Sequence, residues 1–263
     1  MCPTDRNAPV SMLARADIVL SAFTPKDRRL GVSELSRRTG LAKSTTSRIV
    51  NDLVTLNYLE RTGDQVELGL RLFELGELAT RPKDLTMLAI AHMADLRSAT
   101  RQTVHLAVLD GTEVVYIRIL RSRTAPPLPS RVGGRMPAHA TGVGKALLAF
   151  SPEQTIQKCL ETGLPQVGPR TICDEGQFLT ELDSIRSAGI AYESRESSPD
   201  LCCAAAPVLD TEGRAVTAIS VSAQVDSVNL ARIGPAVKTA ALALSRNIAR
   251  RPHQTHSTIV GLE

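Results

Sequence analysis

"GVSELSRRTGLAKSTTSRIVNDLVTLNYLERTGDQVELG", residues 31–69, decides the fold of the N-terminal quarter. Ser33 has the chemistry of a helix N-cap, and "ELSRRT" after it reads as a short helix ended by Gly40. In "LAKSTTSRIVNDLVTLN" the apolar residues Ile49, Val50, Leu53 and Leu56 recur at three- and four-residue spacing, the period of a helix with one buried face. Lys43, Ser44, Thr45, Ser47 and Arg48 crowd its first turns on the less apolar side. Two short helices joined by a glycine turn, the second led by small polar and basic residues, read as helix-turn-helix. A helix N-terminus in the major groove needs small donors that reach phosphates and base edges, and its free N–H groups and dipole favour phosphate. Arg48, one turn further in, is long enough for a base edge or the backbone. A helical hairpin with a solvated Ser/Thr-rich start is the plainer alternative.

"YLERTGDQVELG" continues as strand, turn and strand, with Gly63-Asp64 at the turn. A helix-turn-helix followed by a hairpin is a winged helix. Arg61 falls on the wing, where it reaches a minor groove or a phosphate; a solvated hairpin charge is the other reading. Upstream, "PVSMLARADIVLSAF" (9–23) puts Leu13, Ala16, Val19, Leu20 and Phe23 on one helix face. "TPKDRRLGV" then breaks the period, and its Arg28 joins the candidate DNA contacts.

Charge follows the same division. Residues 1–62 hold ten Lys/Arg against six Asp/Glu, and residues 63–263 hold twenty-one of each. All of the net charge of +4 therefore lies in the N-terminal quarter, as expected of a polyanion-facing module joined to a neutral one. With 43% hydrophobic and 3% aromatic residues, the core must be built from Leu, Ile, Val and Ala. The five cysteines have no zinc spacing. No leader pattern and no run of 18 apolar residues is present, so the expectation is a soluble, cytoplasmic protein with no membrane partner.

Residues 70–80 read as an apolar-striped linker helix, interrupted by Arg81-Pro82, and "KDLTMLAIAHMADLRSATRQ" as the next helix. Beyond it, "TVHLAVLD" and "EVVYIRIL" form a hairpin about Gly111, and "CCAAAPVLD" and "RAVTAISVSA" a second. "VGKALLAF", "GQFLTELDSIRSAG" and residues 228–250 are helical. The fold class is α+β: one antiparallel sheet with helices packed on it. The domains expected are a winged helix-turn-helix over 1–69, a linker helix over 70–82, a sheet domain over 83–251 and a tail over 252–263.

"HATGVGKALL" (139–148) invites a nucleotide reading, and fails it. A Walker loop needs glycine where His139 stands and a hydroxyl where Ala146 stands, and a dinucleotide fingerprint needs glycine where Leu147 stands. A glycine turn feeding a helix still offers N–H groups to an anion such as a carboxylate. Alternatively, the glycines only permit a tight turn against the sheet. Lys145 is read as a helix-surface charge, His105 as a strand residue facing solvent, and His139 as a local hydrogen-bonding group or a donor to a ligand. Cys203, in an apolar strand, reads as a buried inert thiol. No catalytic residue, metal ligand or cofactor is assigned.

The ordered blocks "RADIVLSAF", "GVSELSRRTGLAKSTTSRIVNDLVTLNYLER", "ELGLRLFELG", "GGRMPAHATGVGKALLAF", "AGIAYESRES" and "CCAAAPVLDTEGRAVTAISVSA" resemble the IclR family of bacterial transcriptional regulators over roughly residues 11–250. The resemblance implies a winged helix-turn-helix joined to a GAF-like effector-binding domain. It also implies a dimer, or a dimer of dimers, on a palindromic double-stranded operator, controlled by a small carboxylate or aromatic acid. Carried over, the effector contacts are Gly142, Val143, Glu193, Cys203, Ser220 and Ser222. Ser220 and Ser222 also share one strand face by period alone. The chain departs from the family pattern at Glu193, where aspartate is usual. Two alternatives stand beside this reading: a redox sensor using Cys202 and Cys203, and a dimeric ligand-binding protein that does not bind DNA.

Overall fold

The computed structural model describes residues 11–123, 128 and 130–250; the tail read at 252–263 lies outside the described residues. The chain divides into two compact units between Thr80 and Arg81.

In the first unit, α1 (Met12–Ser21), β1 (Leu30–Gly31), α2 (Val32–Thr39) and α3 (Lys43–Thr55) precede the hairpin β2 (Leu59–Thr62) and β3 (Gln65–Leu68). The antiparallel sheet has the order β1-β3-β2. Gly63, at φ 63°, makes the hairpin turn, and Gly40, at φ 69°, ends α2 in the left-handed conformation that glycine adopts without a Cβ penalty. Val19, Leu35, Ile49, Val50, Leu53, Leu59 and Val66 form the core, so the apolar period of α3 is the face it buries. Thr46 is also buried there, its hydroxyl donating to the Ala42 carbonyl at 3.1 Å.

Three local readings are corrected. α2 starts at Val32 with Gly31 as its N-cap, so Ser33 sits inside the first turn and caps nothing. Leu13 is 83% exposed, so the buried stripe of α1 begins with Ala16 and Val19. The helix after the wing, α4 (Leu70–Glu77), stops before Ala79, and α5 (Thr80–Thr100) runs through Pro82. Proline in the first helical turn removes no hydrogen bond, because those N–H groups have no intrahelical acceptor.

After α5 the second unit continues with β4 (Thr103–Asp110), β5 (Glu113–Leu120), β6 (Arg135–Pro137), α6 (Gly142–Leu148), α7 (Glu153–Thr162), α8 (Glu175–Ala188), β7 (Ala191–Ser194), β8 (Leu201–Leu209), β9 (Ala215–Gln224) and α9 (Leu230–Ala249). The six-stranded antiparallel sheet has the order β6-β5-β4-β9-β8-β7. Helices cover both faces. On one, Ala89, Met93 and Leu96 of α5 and Val237, Ala241 and Leu244 of α9 pack on Val104, Leu106, Ala204, Ala206, Ile219 and Val221. On the other, α6 and α8 pack on Ala107, Ala205 and Ala218.

Register decides what shares a face. Glu193 pairs with Cys203, Cys203 with Ser222, and Ser220 with both Ala205 and His105. Side chains two residues apart stand on one side of a strand. Glu193, Cys203, Ser220, Ser222 and His105 therefore fall on the α6 side, in two adjacent cross-strand rows. Adjacent residues point to opposite faces, which separates Cys202 from Cys203.

Candidate functional sites

The start of α3 has the chemistry of a DNA-reading helix. Its N-cap, Ala42, offers no side-chain hydrogen bond, so the first-turn N–H groups are left for an outside acceptor. Lys43, Ser44 and Arg48 are exposed, and Thr45 and Ser47 are half-buried. Ion pairing sorts the basic residues. Arg38 binds Asp27 at 2.6 Å and Glu34 at 2.7 Å, Arg37 binds Glu34 at 2.7 Å, and Arg29 binds Glu67 at 3.3 Å. These arginines are spent inside the unit. Among the described residues Arg28, Lys43 and Arg48 form no ion pair. Arg61, on β2, donates to Asn51 Oδ1 of α3 at 2.7 Å, which ties the wing strand to the helix.

The second site is a small cavity of about 40 Å³ on the α6 side of the larger sheet, partly open to solvent. Gly142, Val143, Glu193, Cys203, Ser220 and Ser222 all line it, together with His105, Tyr116, Thr141, Ser197, Leu201, Leu128 and Ser130. The two glycines settle how α6 reaches the sheet. A Cβ on Gly142 would stand 3.0 Å from Cys203 Sγ, and one on Gly144 would overlap the Ala138 backbone. Close packing thus requires glycine at 144 and leaves little room for a side chain at 142. Thr141 Oγ1 takes the Gly144 N–H at 3.1 Å, while the Gly142 and Val143 N–H groups have no acceptor within the helix.

His105 is not a solvated strand residue. It is 2% exposed; Nε2 lies 2.8 Å from Ser130 Oγ and Nδ1 lies 3.4 Å from Ser222 Oγ. Burial, and then the charge of Arg121, press its pKa down to about 3, so the ring is a neutral link between two hydroxyls. His139 Nε2 donates locally to the Pro165 carbonyl at 2.9 Å, and the residue is not part of the cavity wall.

Glu193 is 2% exposed, and its Oε1 accepts the N–H groups of Glu196 at 2.7 Å and Ser197 at 3.1 Å. Burial outweighs those bonds and pushes the carboxyl up to about 7. Burial and the neighbouring Glu193 push the Cys203 thiol up to about 12, with the Ser220 and Ser222 hydroxyls against it. Burial likewise pushes Cys202 up to about 11. Thiols held protonated and facing opposite sides of a strand lack the thiolate that redox sensing needs. Among the described residues no cluster of three or more His, Cys, Asp or Glu is placed to hold a metal ion.

Lys145 overturns its sequence reading. It is wholly buried, because every residue of α6 is buried. Its Nζ donates to Glu196 Oε1 at 2.7 Å, Glu181 Oε1 at 2.9 Å and the Tyr192 carbonyl at 3.0 Å. The lysine thus ties α6, whose first turn lines the cavity, to the segment whose backbone holds Glu193.

Comparison with known proteins matches both parts of the chain. The family described as "Bacterial transcriptional regulator IclR C-terminal" matches residues 78–248, and the "IclR helix-turn-helix domain" matches residues 12–63. The HTH-type transcriptional regulator XynR of Escherichia coli (strain K12) is 31% identical over 243 residues, covering 90% of this chain and 96% of XynR.

The chain belongs to the IclR family.

Another member, the HTH-type transcriptional repressor AllR of Escherichia coli (strain K12), is 30% identical over 213 residues, 80% of this chain and 79% of AllR. Among solved structures, an IclR homologue from Microbacterium hydrocarbonoxydans, complexed with 4-hydroxybenzoate, superposes with a TM-score of 0.82 at 29% identity, covering 90% of this chain and 99% of that one. Like its IclR relatives, the chain is a helix-turn-helix transcriptional regulator with an effector-binding C-terminal domain. No helix among the described residues is long and apolar enough to cross a membrane.

Proposed function

We propose that the protein binds a palindromic operator as a homodimer or homotetramer and releases or remodels it when a small effector fills the cavity. Lys43, Ser44, Thr45, Ser47 and Arg48 enter the major groove on α3, with Arg28 and Arg61 on flanking backbone or minor groove. Gly142, Val143, Glu193, Cys203, Ser220 and Ser222 hold the effector, a small carboxylate or aromatic acid. The single observation that carries this reading is the cavity itself. Six residues from four stretches of chain line one space, beside an apolar core that includes Ala107, Ala205 and Ala218 of the sheet. Residues 70–82 act as the linker. α4 buries none of its residues within the chain and leaves Leu70 63% and Phe73 64% exposed, an apolar surface suited to a second copy. As a regulator of transcription it works in the cytoplasm, on DNA.

The test starts from a thermal-shift screen of catabolic carboxylates, amides and hydrazides, since a ligand of the folded state raises its stability. Operator binding is then followed with and without the best ligand. Ser220→Ala with Ser222→Ala keeps operator affinity and loses the response. A double variant that still responds removes these serines from the site.

A further inference from the structure

The cavity wall carries hydroxyls, a thiol, an imidazole and one carboxyl, but among the described residues no lysine or arginine. The cations that act on its lining, Lys145 on Glu193 and Arg121 on His105, are already committed. Lys145 Nζ is held by Glu196, Glu181 and the Tyr192 carbonyl, and Arg121 donates to the carbonyls of Leu128 at 3.1 Å and Ser130 at 2.6 Å. Glu193 faces Glu196 from the turn after its own strand, Lys145 from α6, Cys203 from β8 and Tyr116 from β5, while Cys202 lies on the opposite face of β8. Its Oε1 is used by two backbone N–H groups, so Oε2 is the oxygen left for a ligand. A bound carboxylate would set a second negative charge beside Glu193 with no cation between them. Two carboxyls so placed cannot both stay ionised; one holds a proton.

We propose that Glu193 makes the effector site selective for charge. It admits small uncharged molecules bearing an N–H or O–H donor as they are, and a carboxylic acid only together with one proton from solvent, shared between the acid and Glu193. No covalent bond changes. This deepens the reading of the cavity as the effector site and rests on it. The titration range fits: burial places the Glu193 carboxyl at about 7, whereas Cys203, pushed up to about 12, and His105, pressed down to about 3, stay neutral.

The experiment uses the full-length protein and a matched pair of probes, 4-hydroxybenzoate and 4-hydroxybenzamide, titrated calorimetrically at pH 6 and 8.5. The affinity for the acid is expected to fall roughly thirtyfold between the two, following the protonated fraction of Glu193, and that for the amide to stay within about threefold. In Glu193→Gln the pH dependence for the acid flattens. Should that variant fold poorly, the wild type suffices: at pH 8, in buffers of different ionisation enthalpy, it takes up about one proton per acid bound and none per amide. An acid that binds equally at both pH values, or without proton uptake, overturns the charge selectivity and leaves the site standing. Binding of neither probe overturns the site, and the proposal with it.

Discussion

Replacing Lys145 by methionine keeps the length of the side chain and removes its charge. Its side chain is 1% exposed, Glu196 is 9% exposed, and the Glu196 Oε2 atom already lacks a partner. Without Lys145, Glu196 is left as a buried carboxyl facing apolar helix. Breaking one half of a buried pair destabilises by about 3–5 kcal/mol, because the remaining charge keeps its desolvation penalty. In a unit of this size each kcal/mol moves the midpoint by about 2–4 °C, so the unfolding temperature should fall by roughly 6–20 °C. Glu181 is 31% exposed, so Glu181→Gln should lose less than about 1 kcal/mol. Lys145→Met combined with Glu196→Leu should recover most of the loss, since apolar residues of similar volume replace such pairs without penalty. Differential scanning calorimetry reads all of these variants. A single Lys145→Met that unfolds within about 2 °C of the wild type would refute the reasoning, as would a double variant no more stable than the single one.

Arg48→Ala should weaken operator binding roughly tenfold or more while leaving thermal unfolding unchanged, because the exposed guanidinium touches no core; fluorescence anisotropy with labelled duplex checks it, and unchanged affinity would mean that the reading face is misplaced. Gly144→Ala drives a methyl into the Ala138 backbone, so a loss of about 3 kcal/mol or more, or insoluble protein, is expected, and a variant of normal stability would show that the turn at Ala138 can move away from α6. Glu193 carries a folded-state pKa raised from 4.5 to about 7. Its contribution is therefore fully present below about 4.5 and is lost as pH rises through 7. Relative to Glu193→Gln, the wild type should lose on the order of 3 kcal/mol between pH 4.5 and 8, measured by urea unfolding; parallel pH curves would contradict a buried, protonated Glu193.

The parts of the fold most legible in the sequence were those where period and punctuation agree. Ile49, Val50 and Leu53 mark α3, Gly63-Asp64 marks the wing, and alternation in "AISVSA" puts Ser220 and Ser222 on one face. The misreadings of Lys145 and His105 share a cause: amphipathic rules assume that one side of an element meets water. α6 has no such side, so Lys145 is buried, and β4 is covered on both faces, so His105 is too. The partners that stabilise Lys145, Glu181 and Glu196, lie 36 and 51 residues away in the chain, and no local pattern joins them. A hint was present in "AYESRESS", where two carboxyls in a sheet-forming stretch need a cation or a proton. Ser33 looked like a cap by type, but the chain enters α2 one residue earlier, at Gly31. Leu13 fitted the helical period of α1 and is nonetheless exposed, since period identifies a face and not what covers it.

Selection of random duplex DNA by the full-length protein tests the central claim most directly. The account predicts an inverted repeat whose half-sites are one helical turn, about 10 base pairs, or a multiple of it apart, and its disappearance from the pool selected by Arg48→Ala. A wild-type pool with no enriched motif, or the same motif recovered by Arg48→Ala, would contradict the assignment of α3 as the reading helix.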